Sequence, residues 1–114
     1  MQTIILDIDG TLLKHPGSFD EIGKVTELLP GVREKFADWV SKDYTIILVT
    51  GRRESLRRKT INQLNDLGLP FDHLIMGLPR GKRLLVNDFK PGSTDSTAEA
   101  YCVERNKGLK ELEI

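Results

Sequence analysis

Short apolar runs alternate along the chain with stretches of helical periodicity, and the runs end on polar residues. Thr3 to Leu6 is Ile-rich and stops at Asp7, with a turn signal at Asp9-Gly10. Tyr44 to Val49 is a second run, β-branched and ending at Thr50-Gly51-Arg52. His73 to Met76 is a short third. Arg83 to Val86 is a fourth, ending at Asn87-Asp88, and Ala98 to Val103 is a candidate fifth. Between them, Pro30-Gly31 opens a helical pattern in which Val32, Phe36, Trp39 and Val40 share one face. A second helix is expected from about Glu54 to Leu67, with Leu56, Ile61, Leu64 and Leu67 inward and Gly68 as its stop.

Strands with no polar alternation predict a parallel sheet covered on both faces. Strands alternating with helices predict right-handed crossovers. The fold class is therefore α/β, a three-layer Rossmann-like core with a mostly parallel sheet of about five strands flanked by helices. In such folds ligands bind beyond the carboxyl ends of the strands. Asp7, Thr50 and Asn87-Asp88 all follow strands, so one site can draw on all three.

Composition narrows the class. The 114 residues suit one domain, taken as 1–114, and 39% hydrophobic content can build a core. Seventeen basic residues balance seventeen acidic ones, which makes a nucleic-acid partner an unfavourable reading. The single cysteine, Cys102, excludes an internal disulfide and fits a cytoplasmic setting. The start, MQTIILDIDG, has no basic region of a signal peptide, and no stretch is apolar enough to span a bilayer.

The strongest chemical signal is Asp7-Ile8-Asp9-Gly10-Thr11. Two carboxylates leaving one strand end repel each other and lose hydration. A bound Mg²⁺ would relieve that cost, since it prefers a few carboxylates with waters and phosphate oxygens. A polar loop that merely caps the next element is the simpler alternative.

These residues resemble the haloacid dehalogenase (HAD) superfamily of phosphatases. Asp7 to Thr11 match its DxDGT motif. Ile46 to Arg52 match its second motif, a Thr or Ser after an apolar strand. Lys82 is the candidate for its Lys, preferred over Arg80 or Arg83, and Asp88 for its acidic group after the fourth strand. Within the superfamily, TGR at 50–52, FDHLIMG at 71–77 and ND-x-KP at 87–91 resemble small phosphatases of capsule or surface-sugar synthesis.

The resemblance implies a magnesium-dependent phosphomonoesterase acting on a small phosphorylated metabolite such as a sugar phosphate. Asp7 would be the nucleophile and form an aspartyl-phosphate. Asp9 would protonate the leaving oxygen and then activate water. Mg²⁺ would sit between Asp7, the backbone carbonyl of Asp9 and Asp88, with Asn87 as a neutral ligand or water holder. Thr50 and Lys82 would complete the catalytic set, and Gly10, Thr11, Gly51 and Arg52 would contact substrate. Asn87 departs from the two-acid form of the fourth motif, and Asp95 is a more distant acid.

The intervals Leu12 to Asp43 and Arg53 to Gly81 are too short for an inserted cap domain. An uncapped site lacks the water exclusion of a lid. Either a second copy of the chain or a large substrate would then cover it. Lys14 to Gly17 are expected to form a flap, where His15 reads most simply as an exposed loop residue. Arg52, Arg53, Arg57, Arg58 and Lys59 make a basic cluster, read mainly as a solvated helix face with a Glu54–Arg58 pair. His73, Cys102 and Trp39 read as structural. Two other functions stay open: an end-phosphatase for nucleic acid, and a non-catalytic phosphate-binding regulatory module.

Overall fold

A computed structural model describes residues 1–17 and 27–114. Residues 18–26, part of the interval expected to hold the flap, lie outside the described residues. Three parallel strands form the sheet: β1 (Thr3–Asp7), β2 (Thr45–Val49) and β3 (His73–Ile75), in the order β1-β2-β3. Helix α1 (Val32–Ser41) joins the first pair. A 3-10 turn (Glu54–Leu56) running into α2 (Arg57–Asp66) joins the second. The register pairs Ile4 with Ile46, Leu6 with Leu48 and Asp7 with Val49, so β1 and β2 end level.

Packing follows the side-chain alternation of a strand. Ile4, Leu6, Ile46, Leu48 and Leu74 point into the core, where they meet Val32, Phe36 and Trp39 of α1 and Leu64 of α2. Trp39 is fully buried, with its ring centroid 5.5 Å from that of Phe36. Helix α2 ends where Gly68 takes φ +75°. Its N–H donates to Asn65 O at 3.0 Å and that of Leu69 donates to Leu64 O at 3.0 Å, the paired bonds of a Schellman stop. Only glycine takes that left-handed turn without strain.

The structure corrects several expectations. Among the described residues the sheet has three strands and buries one face. Ile5 and Ile75, on the other face, are 51% and 46% exposed. Val40, expected to be inward, is also half exposed, at the margin of the α1 stripe. Arg83 to Val86 and Ala98 to Val103 are not strands, because no neighbouring backbone pairs with them. Leu84 and Val86 are more than four-fifths exposed as a result. Cys102 is exposed in the same segment rather than buried in a last strand.

The charged C-terminal tail folds back onto the core. Leu109 is 1% exposed, its N–H donates to Pro30 O at 2.8 Å, and Val103, Leu112 and Ile114 pack at the core margin. The fit is close. A Cβ on Gly31 would lie 2.5 Å from the Lys110 nitrogen, and one on Gly108 would lie 2.2 Å from Pro30 O.

Candidate active site

The carboxyl ends of β1 and β2 carry the polar residues, and the loop after β1 is built rigidly. The Ile8 carbonyl accepts N–H bonds from Thr11, Leu12 and Leu13 at 3.2, 2.9 and 3.2 Å. Ile8, Leu12 and Leu13 are fully buried, so apolar anchors fix the turn that presents Asp7, Asp9 and Thr11. Gly10 sits in this turn at φ +88°, a left-handed geometry that favours glycine.

Asp7 is the last residue of β1 and is exposed. Flanking protein strips part of its hydration, and this pushes its carboxyl above the ordinary 3.8. The Ile8 N–H opposes the rise by hydrogen bonding. The Asp9 carboxylate adds to it, and Arg83 and the Thr11 hydroxyl pull it back. Thr11 Oγ1 reaches Asp7 Oδ2 at a long 3.5 Å. Of the three cations weighed for the phosphate, Arg83 is the one whose charge acts on Asp7. Its guanidinium is held by the carbonyls of Pro79 and Gly81 at 2.9 and 3.1 Å. Lys82 is exposed on the same segment.

Asp9 meets a partner that sequence spacing did not reveal. Arg52 grips it as a fork, Nε to Oδ2 at 2.9 Å and Nη2 to Oδ1 at 2.7 Å. Arg52 is 4% exposed, and its Nη1 also donates to Thr60 Oγ1 at 3.1 Å and Gln63 Oε1 at 2.7 Å. A planar guanidinium suits this two-point grip, and burial strengthens it. The guanidinium expected to face substrate is thus enclosed between the β1 loop and α2. The signal that could have found the arrangement is on α2. Thr60 and Gln63 are buried polar residues in the stripe that also carries Leu64 and Leu67. Such residues need a polar partner inside.

Thr50 is 1% exposed, and its Oγ1 accepts the Arg52 N–H at 3.1 Å. Its backbone joins β3 and the next loop through Ile75 O at 2.9 Å and the Leu78 N–H at 3.1 Å. Gly51 lets that loop approach, since a Cβ there would lie 3.2 Å from Leu78 O. Thr50 and Gly51 therefore stand at the same sheet end as Asp7, with Thr50 beneath the surface.

Asn87 and Asp88 are not brought to this place. Asn87 Nδ2 donates to Thr97 O at 3.2 Å, and the Asp88 carbonyl accepts the Thr97 hydroxyl, both within the exposed segment. Among the described residues no three His, Cys, Asp or Glu side chains gather as a metal-holding group. The Mg²⁺ ligand set read from the sequence is therefore not gathered in this arrangement: Asp7 and Asp9 share the end of β1, and Asp88 and Asn87 stand apart from them. The fourth strand that would carry Asp88 to Asp7 has no sheet partner.

His15 belongs to the tail contact, its N–H donating to Asn106 Oδ1 at 2.7 Å and its Nδ1 accepting from Gly17 at 3.2 Å. His73 is exposed at the start of β3. In the basic cluster the ion pair is Glu54–Arg57 at 2.8 Å, not Glu54–Arg58. The 3-10 turn at Glu54 has about three residues per turn, which aligns i with i+3.

The family model for the LNS2 domain of PITM 1-3 matches residues 4–88, from the first buried Ile of β1 to Asp88. The chain belongs to the LNS2 domain family. This domain is HAD-like, in agreement with the parallel sheet and its motif-bearing strand ends. A crystal structure of a structural-genomics target from Vibrio cholerae has a TM-score of 0.52 at 20% identity, over 77% of this LNS2 chain and 80% of that one. The likeness is one of fold. D,D-heptose 1.7-bisphosphate phosphatase from B. bronchiseptica, solved with magnesium and phosphate, has a TM-score of 0.48 at 26% identity. That overlap covers 71% of the LNS2 chain and 51% of the phosphatase. No curated protein matches the chain. Among the described residues no helix is long and apolar enough to cross a membrane.

Proposed function

We propose that this LNS2 domain is a HAD-type phosphomonoesterase that uses Asp7 as its nucleophile. The observation that carries the reading is the placement of Asp7. It ends β1 on a rigid loop, open to solvent, with the Arg83 charge acting on its carboxyl. One Asp7 oxygen attacks phosphorus, the bond to the leaving oxygen breaks, and an aspartyl-phosphate forms. Water then attacks phosphorus and frees Asp7. Positioning and charge stabilisation are most of what phosphoryl transfer requires, and Arg83 is the candidate cation whose charge acts on Asp7. The substrate class is a small phosphorylated metabolite, a sugar phosphate in the finer reading. The open site is covered by a second copy of the chain or by the substrate itself.

Asp9 is the intended proton donor and acceptor, and both its oxygens are engaged by Arg52. It serves a leaving group only when one of those bonds is exchanged for the substrate. The same fork, together with the unassembled ligands at 87–88, favours a second reading: a domain that binds a phosphate group without turning it over.

Hydrolysis of p-nitrophenyl phosphate, measured with and without Mg²⁺, separates the two. The enzyme reading expects turnover that rises with Mg²⁺ and is lost in Asp7→Asn. Phosphate binding with no turnover under any divalent metal leaves the second reading standing.

A further inference from the structure

The C-terminal segment delivers a cation to the loop after β1. The Asn106 N–H donates to Gly10 O at 2.8 Å, and the Asn106 side chain holds the His15 N–H at 2.7 Å. Asn106 takes φ +65°, a conformation this residue type tolerates better than most, and that turn directs the preceding residue onto the loop. A Cβ on Gly10 would lie 3.1 Å from Arg105 Cγ and 3.7 Å from its Cδ and Nε. The stem of Arg105 therefore lies across the middle of the Asp7–Thr11 turn.

Its head is differently placed. Arg105 is exposed, and among the described residues its guanidinium forms no hydrogen bond or ion pair. Long basic side chains often lay an apolar stem on protein and leave the charge in water. Here the stem rests on the turn that presents the nucleophile, and the tail beneath it is locked by Leu109 and Gly108 against Pro30. Gly10 gives the stem room, because a Cβ there would press on Arg105 Cγ.

We propose that Arg105 is an anion-binding residue of the Asp7 site, donating from its guanidinium to the oxygens of a phosphate group seated on the Asp7–Thr11 loop. The proposal rests on the reading that this loop receives phosphate. It adds a contact that none of the strand-end residues supplies. A planar guanidinium matches two phosphate oxygens at once, and such charge-assisted bonds are among the stronger ones.

The test is calorimetric binding of inorganic phosphate to the intact chain, which reads Arg105 whether or not the domain turns substrate over. Arg105→Met keeps an unbranched stem over Gly10 and removes the charge. It should weaken phosphate binding about tenfold. Arg105→Lys keeps the charge and should stay within about threefold, since a point charge replaces the fork. Lys107→Met, two positions along the same exposed tail, removes one charge away from the loop and should change binding less than about twofold. Thermal melting of each variant verifies that the tail stays docked. Should Arg105→Met destabilise the fold, Arg105→Gln serves as the second neutral variant. Undiminished binding in the neutral variant, equal loss in Lys107→Met, or no phosphate binding by the unmodified chain each overturns the assignment. Loss of p-nitrophenyl phosphate turnover with phosphate binding still dependent on Arg105 would instead overturn only the enzyme reading.

Discussion

Two stretches of similar composition end in opposite states. Thr45–Val49 is a strand with Ile46 and Leu48 buried at 2% and 0% exposure. Arg83 to Val86 is as apolar, yet Leu84, Leu85 and Val86 are exposed by 82%, 59% and 89%. The difference lies in partners. Strand β2 pairs along its whole length with β1 and over Ile47 to Val49 with β3, whereas residues 83–86 have no paired backbone. A short apolar run becomes a strand only where another edge satisfies its N–H and C=O groups. The consequence reaches the chemistry. Asp7 and Thr50 stand at the same sheet end because β1 and β2 end level, while Asp88 stays with its unpaired run.

Substitutions in matched positions test this contrast most strongly. Leu48→Ala should cost about 4 kcal/mol, as a cavity in a packed core does, and Leu84→Ala less than about 0.5 kcal/mol. Urea titrations of both variants decide the matter. Comparable losses would mean that residues 83–86 are packed in solution and that the sheet is larger.

Arg52→Met probes the ordered region where it is polar. It removes the donor that Asp9, Thr60 and Gln63 share and leaves the Asp9 carboxylate without its fork, and the expected cost is about 3 kcal/mol in the same titration. Asp9 keeps some solvent contact, its side chain being 16% exposed, which places the cost at the lower end for a buried pair. A change below about 0.5 kcal/mol would show that the fork is not maintained.

The smallest expected effect is that of Asp7→Asn on stability. Partial loss of hydration raises the Asp7 carboxyl above its unfolded value of 3.8, so the folded state binds that proton more tightly. Below both values the side chain is neutral in either state and costs nothing. As pH rises through the folded value, ionisation costs more in the folded than in the unfolded chain. Asp7→Asn should therefore raise Tm at pH 7 by a degree or two on the order expected for a surface site, with the gain fading near pH 3. A fall in Tm at pH 7 would show that the carboxylate is stabilising, as it would be with a cation held beside it.

The elements that were legible in the sequence are those whose signals are local. Apolar runs at Thr3 and Thr45, the Val32-Phe36-Trp39 face and the Gly68 stop each follow from the period of one element, and the structure contains all of them. The residues that resemble the DxDGT motif, Asp7 to Thr11, form the turn after β1. What was not legible depends on distant partners. Arg52 and Asp9 lie 43 residues apart, and only the two polar residues on the core face of α2 hint at their pairing. Asn106 joins the tail to His15, 91 residues earlier, and Leu109 joins it to Pro30, and a charged tail shows no periodicity that would announce either contact. The run at 83–86 misled because composition is local and strand pairing is not.

Asp7 is the group proposed to take the phosphoryl transfer. Its most direct test is to quench the chain in acid during turnover of a phosphate monoester and map the phosphoryl adduct by peptide mass spectrometry. The account predicts an acid-trapped, hydroxylamine-labile phosphoryl group on Asp7 that is absent from Asp7→Asn. Steady turnover with no adduct on Asp7, or an adduct on another residue, would contradict it.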